Sequence, residues 1–177
     1  MPCFVAFLRG INVGGHIVVK AKLQEVFASL GFQNVSTYKQ SGNVIFEANS
    51  SDPKEIKTTI EEKLQGSLGF EVAVLIRTIT QLKRIIDLDL FKDQNREGTS
   101  FMVTFLPTAV IHFPLQLPLT IPKSTARVVS AKDAEVFSVT HGGGEGALPN
   151  PFLESKLKTK ATTRNMNIIR QIVEKYS

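Results

Sequence analysis

Residues 3–15 read CFVAFLRGINVGG, and this stretch decides how the first half of the chain folds. Its apolar part, Cys3–Leu8, is short and β-prone, and the lack of polar alternation predicts a central strand that is buried on both faces. The glycines that come next, at positions 10, 14 and 15, are typical of a tight loop that leads from a strand into a helix. The stretch therefore predicts a strand, a glycine loop and a helix, in that order.

The residues after this stretch alternate between helix and strand signals. Asp52-Pro53 is a helix start, because a capping residue precedes a proline, and Ser41-Gly42 is a tight turn in which the glycine can supply positive φ. The elements expected after the first strand are a helix over Lys20–Leu30, strands over Val35–Gln40 and Asn43–Ala48, a helix from Pro53 that ends between Gly66 and Gly69, and a strand over Phe70–Ile76. This β-α-β-β-α-β order predicts an α+β fold with a ferredoxin-like first half.

The second half is less regular, and we expect a second α+β subdomain over residues 79–177 beside the ferredoxin-like subdomain over residues 1–78. Four prolines fall between residues 107 and 122, which predicts an extended connection because proline breaks helices and central strands. The other expected elements are a helix capped by Thr80, a strand over Ser100–Leu106, a hairpin of Arg127–Ala131 and Glu135–Thr140, and a C-terminal helix capped by Thr162 or Thr163.

Composition and charge exclude several classes of protein. The chain has 177 residues, 42% of them hydrophobic, with one cysteine and a net charge of +5, so a disordered chain and a disulfide framework are excluded. No apolar run is long enough to span a membrane and no signal peptide is recognisable, so we expect a cytoplasmic protein. The basic residues concentrate at the C-terminus. Residues 151–177 contain six lysines and arginines but only two acidic residues, Glu154 and Glu174.

The glycine loop is the first candidate site. Gly10 and Gly15 have the spacing of a P-loop, but His16 and Ile17 stand where a P-loop needs Lys and Ser or Thr, which excludes a nucleotide-hydrolysing P-loop. A glycine turn before a helix still presents backbone N–H groups that attract anions. The alternative is that the glycines only permit a tight turn.

Two further polar segments are candidates. The turn over Tyr38–Asn43 carries more polar side chains than a hairpin needs, although such turns also favour Ser, Gly and Asn for backbone reasons. The segment over Ala161–Asn167 is predicted to open the last helix, where Arg164 would oppose the helix dipole unless an anion or a carboxylate lay beside it.

Other catalytic patterns are absent from the sequence. The string His141-Gly142-Gly143-Gly144 is not accompanied by a G-x-S-x-G motif, so a serine hydrolase is excluded. The three histidines lie far apart and show no metal-binding spacing, and we predict no metal site. No nucleophile or acid–base pair stands out, so the sequence assigns no reaction, no cofactor and no catalytic residue.

Three stretches together resemble a known family. The segments FLRGINVGG over residues 7–15, TYKQSGNVIF over residues 37–46 and ATTRNMN over residues 161–167 are similar in order and spacing to the signature blocks of the bacterial family known as domain of unknown function 1697. Ser155-Lys156-Leu157 resembles a further block, whereas Met166 stands where the family usually has Trp. The resemblance implies a compact α+β fold and implies no reaction.

Our first hypothesis is that these segments converge on one basic cleft that binds a phosphate-bearing small molecule or a nucleotide. The expected ligand-binding residues are Arg9, Asn12, Gly14, Gly15, Lys20, Gln40, Ser41, Asn43, Lys156, Arg164, Asn165 and Asn167. A second hypothesis is a nucleic-acid-binding module that uses the basic C-terminal segment. A third is that the polar segments are structural or serve self-association.

Overall fold

The computed structural model describes residues 1–12, 14–39, 42–94, 97–142 and 148–177. The chain divides into two compact units. The first unit comprises Met1–Lys83 together with Lys175–Ser177, and the second comprises Arg84–Glu174.

The described residues of the first unit form one antiparallel sheet and two complete helices. Its elements are β1 (Cys3–Leu8), α1 (Lys20–Ser29), β2 (Gln33–Thr37), β3 (Asn43–Glu47), α2 (Pro53–Leu68) and β4 (Val74–Thr78), followed by the first part of α3 (Ile79–Asp87). The strand order is β2-β3-β1-β4, so β1 pairs with β3 on one side and with β4 on the other. The predicted β-α-β-β-α-β order and the α+β class are confirmed.

The position of β1 follows from its composition. Val5, Ala6 and Phe7 are completely buried, as the apolar run predicted. Phe4 and Ala6 face α1 and α2, where they join a core that includes Phe27, Phe46 and other apolar residues of both helices. The rings of Phe27, Phe32 and Phe46 contact one another in this core, with centroid distances of 4.6 to 6.1 Å.

The ends of the helices identify which capping signals were correct. Asp52 caps α2, because its side chain accepts a hydrogen bond from the N–H of Lys54, and Gly69 ends the helix in the left-handed region with φ of 81°. Thr80 was the wrong cap for α3. Thr78 and Gln81 form a reciprocal capping box instead, in which each side chain accepts a hydrogen bond from the other residue's N–H.

The second unit is built on an antiparallel sheet of five short strands. Its elements are the end of α3, β5 (Thr99–Phe105), β6 (Leu119–Thr120), β7 (Ala126–Lys132), β8 (Glu135–His141), α4 (Asn150–Leu157), β9 (Thr162–Asn165) and α5 (Met166–Tyr176), whose last two residues belong to the first unit. The strand order is β6-β7-β8-β5-β9. The predicted hairpin is present as β7 and β8, and the proline-rich connection contributes only the two-residue edge strand β6.

Apolar residues cover both faces of this sheet. Val128, Val136 and Leu106 pack with Leu153 of α4 on one face. On the other face the ring of Phe91 contacts Phe101 and Phe137, with centroids 4.8 and 5.9 Å apart.

One prediction for the C-terminal region was wrong, and one helix there was not predicted. Thr162 and Thr163 do not cap a helix, because residues 162–165 form strand β9, which pairs with β5. The cap of α5 is Asn165, whose Oδ1 accepts a hydrogen bond from the N–H of Asn167 at 2.8 Å. Helix α4 was not predicted, although Pro149 and Pro151 stand at its start and proline is well suited to the first turn of a helix.

The Asp52 cap of α2 should contribute measurably to the stability of the protein. Asp52→Ala leaves the N–H of Lys54 without its partner, and we expect a loss of about 1 kcal/mol in the free energy of unfolding. Ser51→Ala is the matched control, because Ser51 is an exposed neighbour that makes no hydrogen bond among the described residues. Urea unfolding of both variants measures the difference, and equal stabilities would contradict the cap.

Candidate functional site

The glycine loop between β1 and α1 is held in place by several contacts. The N–H of Asn12 donates to the carbonyl of His16 at 2.7 Å, and the Oδ1 of Asn12 accepts from the N–H of Val18 at 2.9 Å. The N–H of Arg9 donates to the carbonyl of Ala73 at 2.9 Å, which ties the start of the loop to the segment before β4. The loop is therefore preorganised rather than dependent on a ligand for its shape.

The opposite end of the loop is anchored by one ring contact and one buried side chain. The His16 ring lies edge-on against Phe70, with centroids 4.1 Å apart. Val18 is buried in the core of the first unit. Both contacts fix the chain just before α1 begins.

The loop backbone is exposed and adopts left-handed conformations. Gly10, Gly14 and Gly15 have φ of 78°, 58° and 89°, and Asn12 has φ of 57°. A Cβ at any of these glycines would meet no atom within 4 Å, so close packing does not require glycine there. The N–H groups of Gly14 and Gly15 donate no hydrogen bond to any residue that the structure describes. The loop thus presents two accessible donors to solvent.

The helix after this loop has an uncapped, cationic N-terminus. Val19 occupies the N-cap position and offers no side-chain hydrogen bond, and the first turn contains no acidic residue. Lys20 and Lys22 occupy that turn instead; Lys22 pairs with Glu25 at 3.0 Å, whereas Lys20 makes no hydrogen bond or ion pair within the described part of the chain. Unbonded N–H groups, the positive end of the helix dipole and a free ammonium therefore lie together.

The Tyr38–Asn43 turn is joined to the end of β1. The N–H of Leu8 donates to the carbonyl of Gly42 at 2.8 Å, so the glycine loop and the turn leave the sheet at the same end. Asn43 is buried and its Nδ2 donates to the carbonyl of Tyr38 at 3.3 Å, so its amide closes the turn. Gln40 and Ser41, both predicted ligand-binding residues, lie outside the described residues.

Arg164 lies in a strand of the second unit, not in the first turn of a helix as the sequence predicted. Its Nη1 donates to the hydroxyl of Thr162 at 2.7 Å and to the carbonyl of Thr163 at 2.9 Å. Burial lowers the pKa of the guanidinium to about 10. The group remains charged at neutral pH, so its hydrogen bonds have to offset the cost of removing the charge from water.

Thr162 provides the test of this arrangement. Thr162→Val keeps the side-chain shape but removes an acceptor from a half-buried charged group, and we expect the free energy of unfolding to fall by about 1 to 2 kcal/mol. Thr120→Val, at an exposed position of the edge strand β6, is the control and should change little.

The pH dependence of this loss follows from the lowered pKa. The folded and unfolded proteins both keep the arginine protonated below about pH 10, so the loss in Thr162→Val should be constant from about pH 6 to about pH 9. Above about pH 10 the unfolded state binds more protons at this group than the folded state does, so this group adds to the stability of the wild type only at such alkaline pH. If the loss of unfolding free energy in Thr162→Val varied through neutral pH, it could not come from the hydrogen bond to the charged Arg164.

The other predicted residues of the second unit have mixed surroundings. Asn165 caps α5, whereas Asn167 is exposed on its first turn. Lys156 is exposed, with its Nζ 5.7 Å from the centroid of the Phe152 ring. A shallow groove of about 420 Å³ is lined by Glu154, Ser155, Lys158, Thr159 and Lys160.

Two features of the site escaped the sequence reasoning. The missing cap of α1 could have been noticed, because no Ser, Thr, Asp or Asn stands at position 19 and no acid is present within the first turn. The groove residues Lys158 and Lys160 were counted only as charge, since nothing local predicted that α4 would end beside them.

Metal and thiol chemistry find little support in the described residues. No group of three or more His, Cys, Asp and Glu side chains there is arranged to hold a metal ion. Burial, with a smaller contribution from Glu47, raises the pKa of the Cys3 thiol, which disfavours the reactive thiolate. None of the helices in these residues has the length and apolar character needed to cross a bilayer.

Comparison with known proteins agrees with this fold. The family described as "Protein of unknown function (DUF1697)" matches residues 1–137, which include the glycine loop and the Tyr38–Asn43 turn. The chain belongs to this family. The segment over residues 161–167 lies beyond the matched range, so its status as a family block stays a prediction.

A solved structure shares the fold over the whole chain. It is described as a conserved bacterial protein, SP0830, from Streptococcus pneumoniae, and it is 18% identical with a TM-score of 0.68. The match covers 99% of this chain and 98% of that one. No curated protein matches the chain.

Proposed function

We propose that the first unit of this protein binds a phosphate-bearing small molecule or a nucleotide at the glycine loop and the N-terminus of α1. The supporting observation is the contrast between two helices of the same unit. Helix α2 begins with the Asp52 cap and Glu55 in its first turn, whereas α1 has neither and carries Lys20 and Lys22 there. A bound anion would complete α1 in the way that Asp52 completes α2.

The glycine loop supports the same proposal. The N–H groups of Gly14 and Gly15 are accessible, and the loop is held in its shape by Asn12 and by the contact of Arg9 with Ala73. Donors that are already in place bind an anion at a lower entropic cost than a loop that has to be ordered first. Arg9 and Lys20 would supply charge near these donors.

The sequence hypothesis also assigned Gln40, Ser41, Asn43, Lys156, Arg164, Asn165 and Asn167 to this ligand. The amides of Asn43 and Asn165 already make internal hydrogen bonds, so we give them a supporting role in holding the turn and the helix. For Lys156, Arg164 and Asn167 the role of ligand contact remains a prediction. We assign no chemical step, because no activated nucleophile or base is part of the proposed site.

Lys20 tests the site directly. Lys20→Ala should raise the Kd for inorganic pyrophosphate or a nucleoside triphosphate about tenfold, the equivalent of one charge-assisted hydrogen bond. Lys54→Ala is the matched control, since Lys54 is also exposed in the first turn of a helix, but that helix is already capped by Asp52. Isothermal titration calorimetry measures both variants. Equal losses, or no binding by the wild type to any phosphate compound, would overturn the proposal.

Gly15 tests the backbone contribution. Gly15→Ala and Gly31→Ala introduce a Cβ at exposed positions with φ of 89° and 80°, and neither Cβ meets an atom within 4 Å. Both variants should therefore lose a similar amount of stability, about 1 to 2 kcal/mol. Only Gly15→Ala should also weaken phosphate binding, because it alone alters the loop. If the two variants bound phosphate with similar affinity, the glycine loop would not be part of the binding site.

One observation favours a second function, nucleic-acid binding through the basic C-terminal segment. Lys158 and Lys160 line the same exposed groove, and Lys156 lies in the last turn of α4. If the segment neutralises phosphates, the affinity for nucleic acid falls as the salt concentration rises. Substitution of Lys158 and Lys160 by Ala then reduces the slope of log K against log salt.

A purely structural role of the polar segments predicts a different result. Arg164→Ala would then lower the Tm without any selective loss of ligand affinity.

A further inference from the structure

The two tyrosines of the chain lie near one lysine in the first unit. Tyr38 comes directly after β2, and Tyr176 is the last residue of α5, yet the hydroxyl of Ser36 donates to the hydroxyl oxygen of Tyr176 at 2.9 Å. The sequence contains no tryptophan and no other tyrosine, so both tyrosines of the protein belong to this cluster. No local pattern in the sequence predicts this cluster, since 140 positions separate Ser36 from Tyr176.

Two lysines lie against these rings. The Nζ atoms of Lys39 and Lys175 are each 5.9 Å from the centroid of the Tyr38 ring. The same Nζ of Lys175 is 5.2 Å from the centroid of Tyr176, so both rings share one ammonium group. Lys39 and Lys175 are exposed, and both rings are partly accessible to solvent.

The cluster lies on an edge of the sheet. Strand β2 is the terminal strand in the order β2-β3-β1-β4, and Gln33 and Asn34 on it are exposed. Ser36 stands opposite Ile45 in the register and Val35 packs against the helix-side core, so Ser36 points to the face away from α1 and α2. An extended ligand could therefore approach along this edge.

We propose that Tyr38, Tyr176, Lys39 and Lys175 form a platform for single-stranded nucleic acid. An unpaired base stacks on an accessible tyrosine ring, and the lysine ammonium groups move from the ring to the flanking phosphates. Aromatic rings together with positive charge are the two elements that sequence-tolerant single-strand binding requires. In the structure both ammonium groups lie at the limit of cation–π distance from the Tyr38 ring, 5.9 Å from its centroid.

The arrangement favours a strand over a single nucleotide or a peptide. Two separate ammonium groups at one ring match the phosphates on either side of a stacked base, whereas one phosphate would need only one of them. The two charged groups that lie at the Tyr38 ring, the ammonium groups of Lys39 and Lys175, are both positive, so a cationic peptide would be repelled there. The proposal is independent of the phosphate site at Lys20.

Anisotropy of a labelled oligouridylate of about ten nucleotides measures the binding. Tyr38→Leu should raise the Kd about 5- to 100-fold, because it removes a stacking surface, whereas Tyr38→Phe should stay close to the wild type. An abasic strand of the same length, which keeps the phosphates but offers no base, should bind the wild type as weakly as the uridine strand binds Tyr38→Leu.

The salt dependence identifies the lysines. Combined substitution of Lys39 and Lys175 by Ala should reduce the slope of log K against log salt by about 1.4. Combined substitution of Lys54 and Lys63 by Ala, two exposed lysines of α2, is the control and should leave that slope unchanged.

The tyrosine emission gives an independent signal. All of it originates in this cluster, since the chain has two tyrosines and no tryptophan, so stacking of a base should quench it. Tyr38→Leu should leave the binding of inorganic pyrophosphate unchanged, which separates a failure here from a failure at Lys20. The proposal is overturned if the wild type does not bind the oligonucleotide at low salt. It is also overturned if Tyr38→Leu binds as well as the wild type, or if the abasic strand binds equally.

Discussion

The burial of β1 on both faces is the constraint on which the first unit depends. Val5, Ala6 and Phe7 are inaccessible to solvent, so the strand has to lie between β3 and β4 and cannot be moved to an edge. Its C-terminal end also carries two hydrogen bonds, because the N–H of Leu8 bonds Gly42 and the N–H of Arg9 bonds Ala73. One strand end thus holds the glycine loop, the β2–β3 turn and the segment before β4 in fixed positions.

Because the loop is held in place, the structure distinguishes the loop residues that shape the backbone from those that face solvent. The sequence showed glycines and basic residues but did not separate those that shape the loop from those that face solvent. In the structure the Asn12 side chain closes the loop through Val18. The N–H groups of Gly14 and Gly15 and the ammonium of Lys20, in contrast, make no hydrogen bond among the described residues. The candidate site is therefore smaller within this unit than the sequence suggested, and it centres on backbone donors and the start of α1.

Local signals were sufficient for the elements of the first unit but not for the C-terminal region. Asp52-Pro53 and Gly69 mark the two ends of α2. Such capping signals depend only on neighbouring residues, so they can be recognised from the sequence alone. Thr162 and Thr163 carry the same capping signal, yet they are strand residues, because β5 lies almost sixty residues earlier and offers a hydrogen-bonding edge. The buried hydroxyl pair of Thr104 and Thr163, 2.8 Å apart, uses the threonines in the sheet. Such pairing is non-local and leaves no trace in the segment itself.

Backbone amide shifts in a titration with inorganic pyrophosphate test the central claim most directly. The account predicts that the largest shift changes occur at Gly14, Gly15, Lys20 and Ala21, with little change at Lys54 and Glu55 of the capped helix α2. Changes of equal size at the two helix starts, or changes confined to the lysines around residues 156–160, would contradict it.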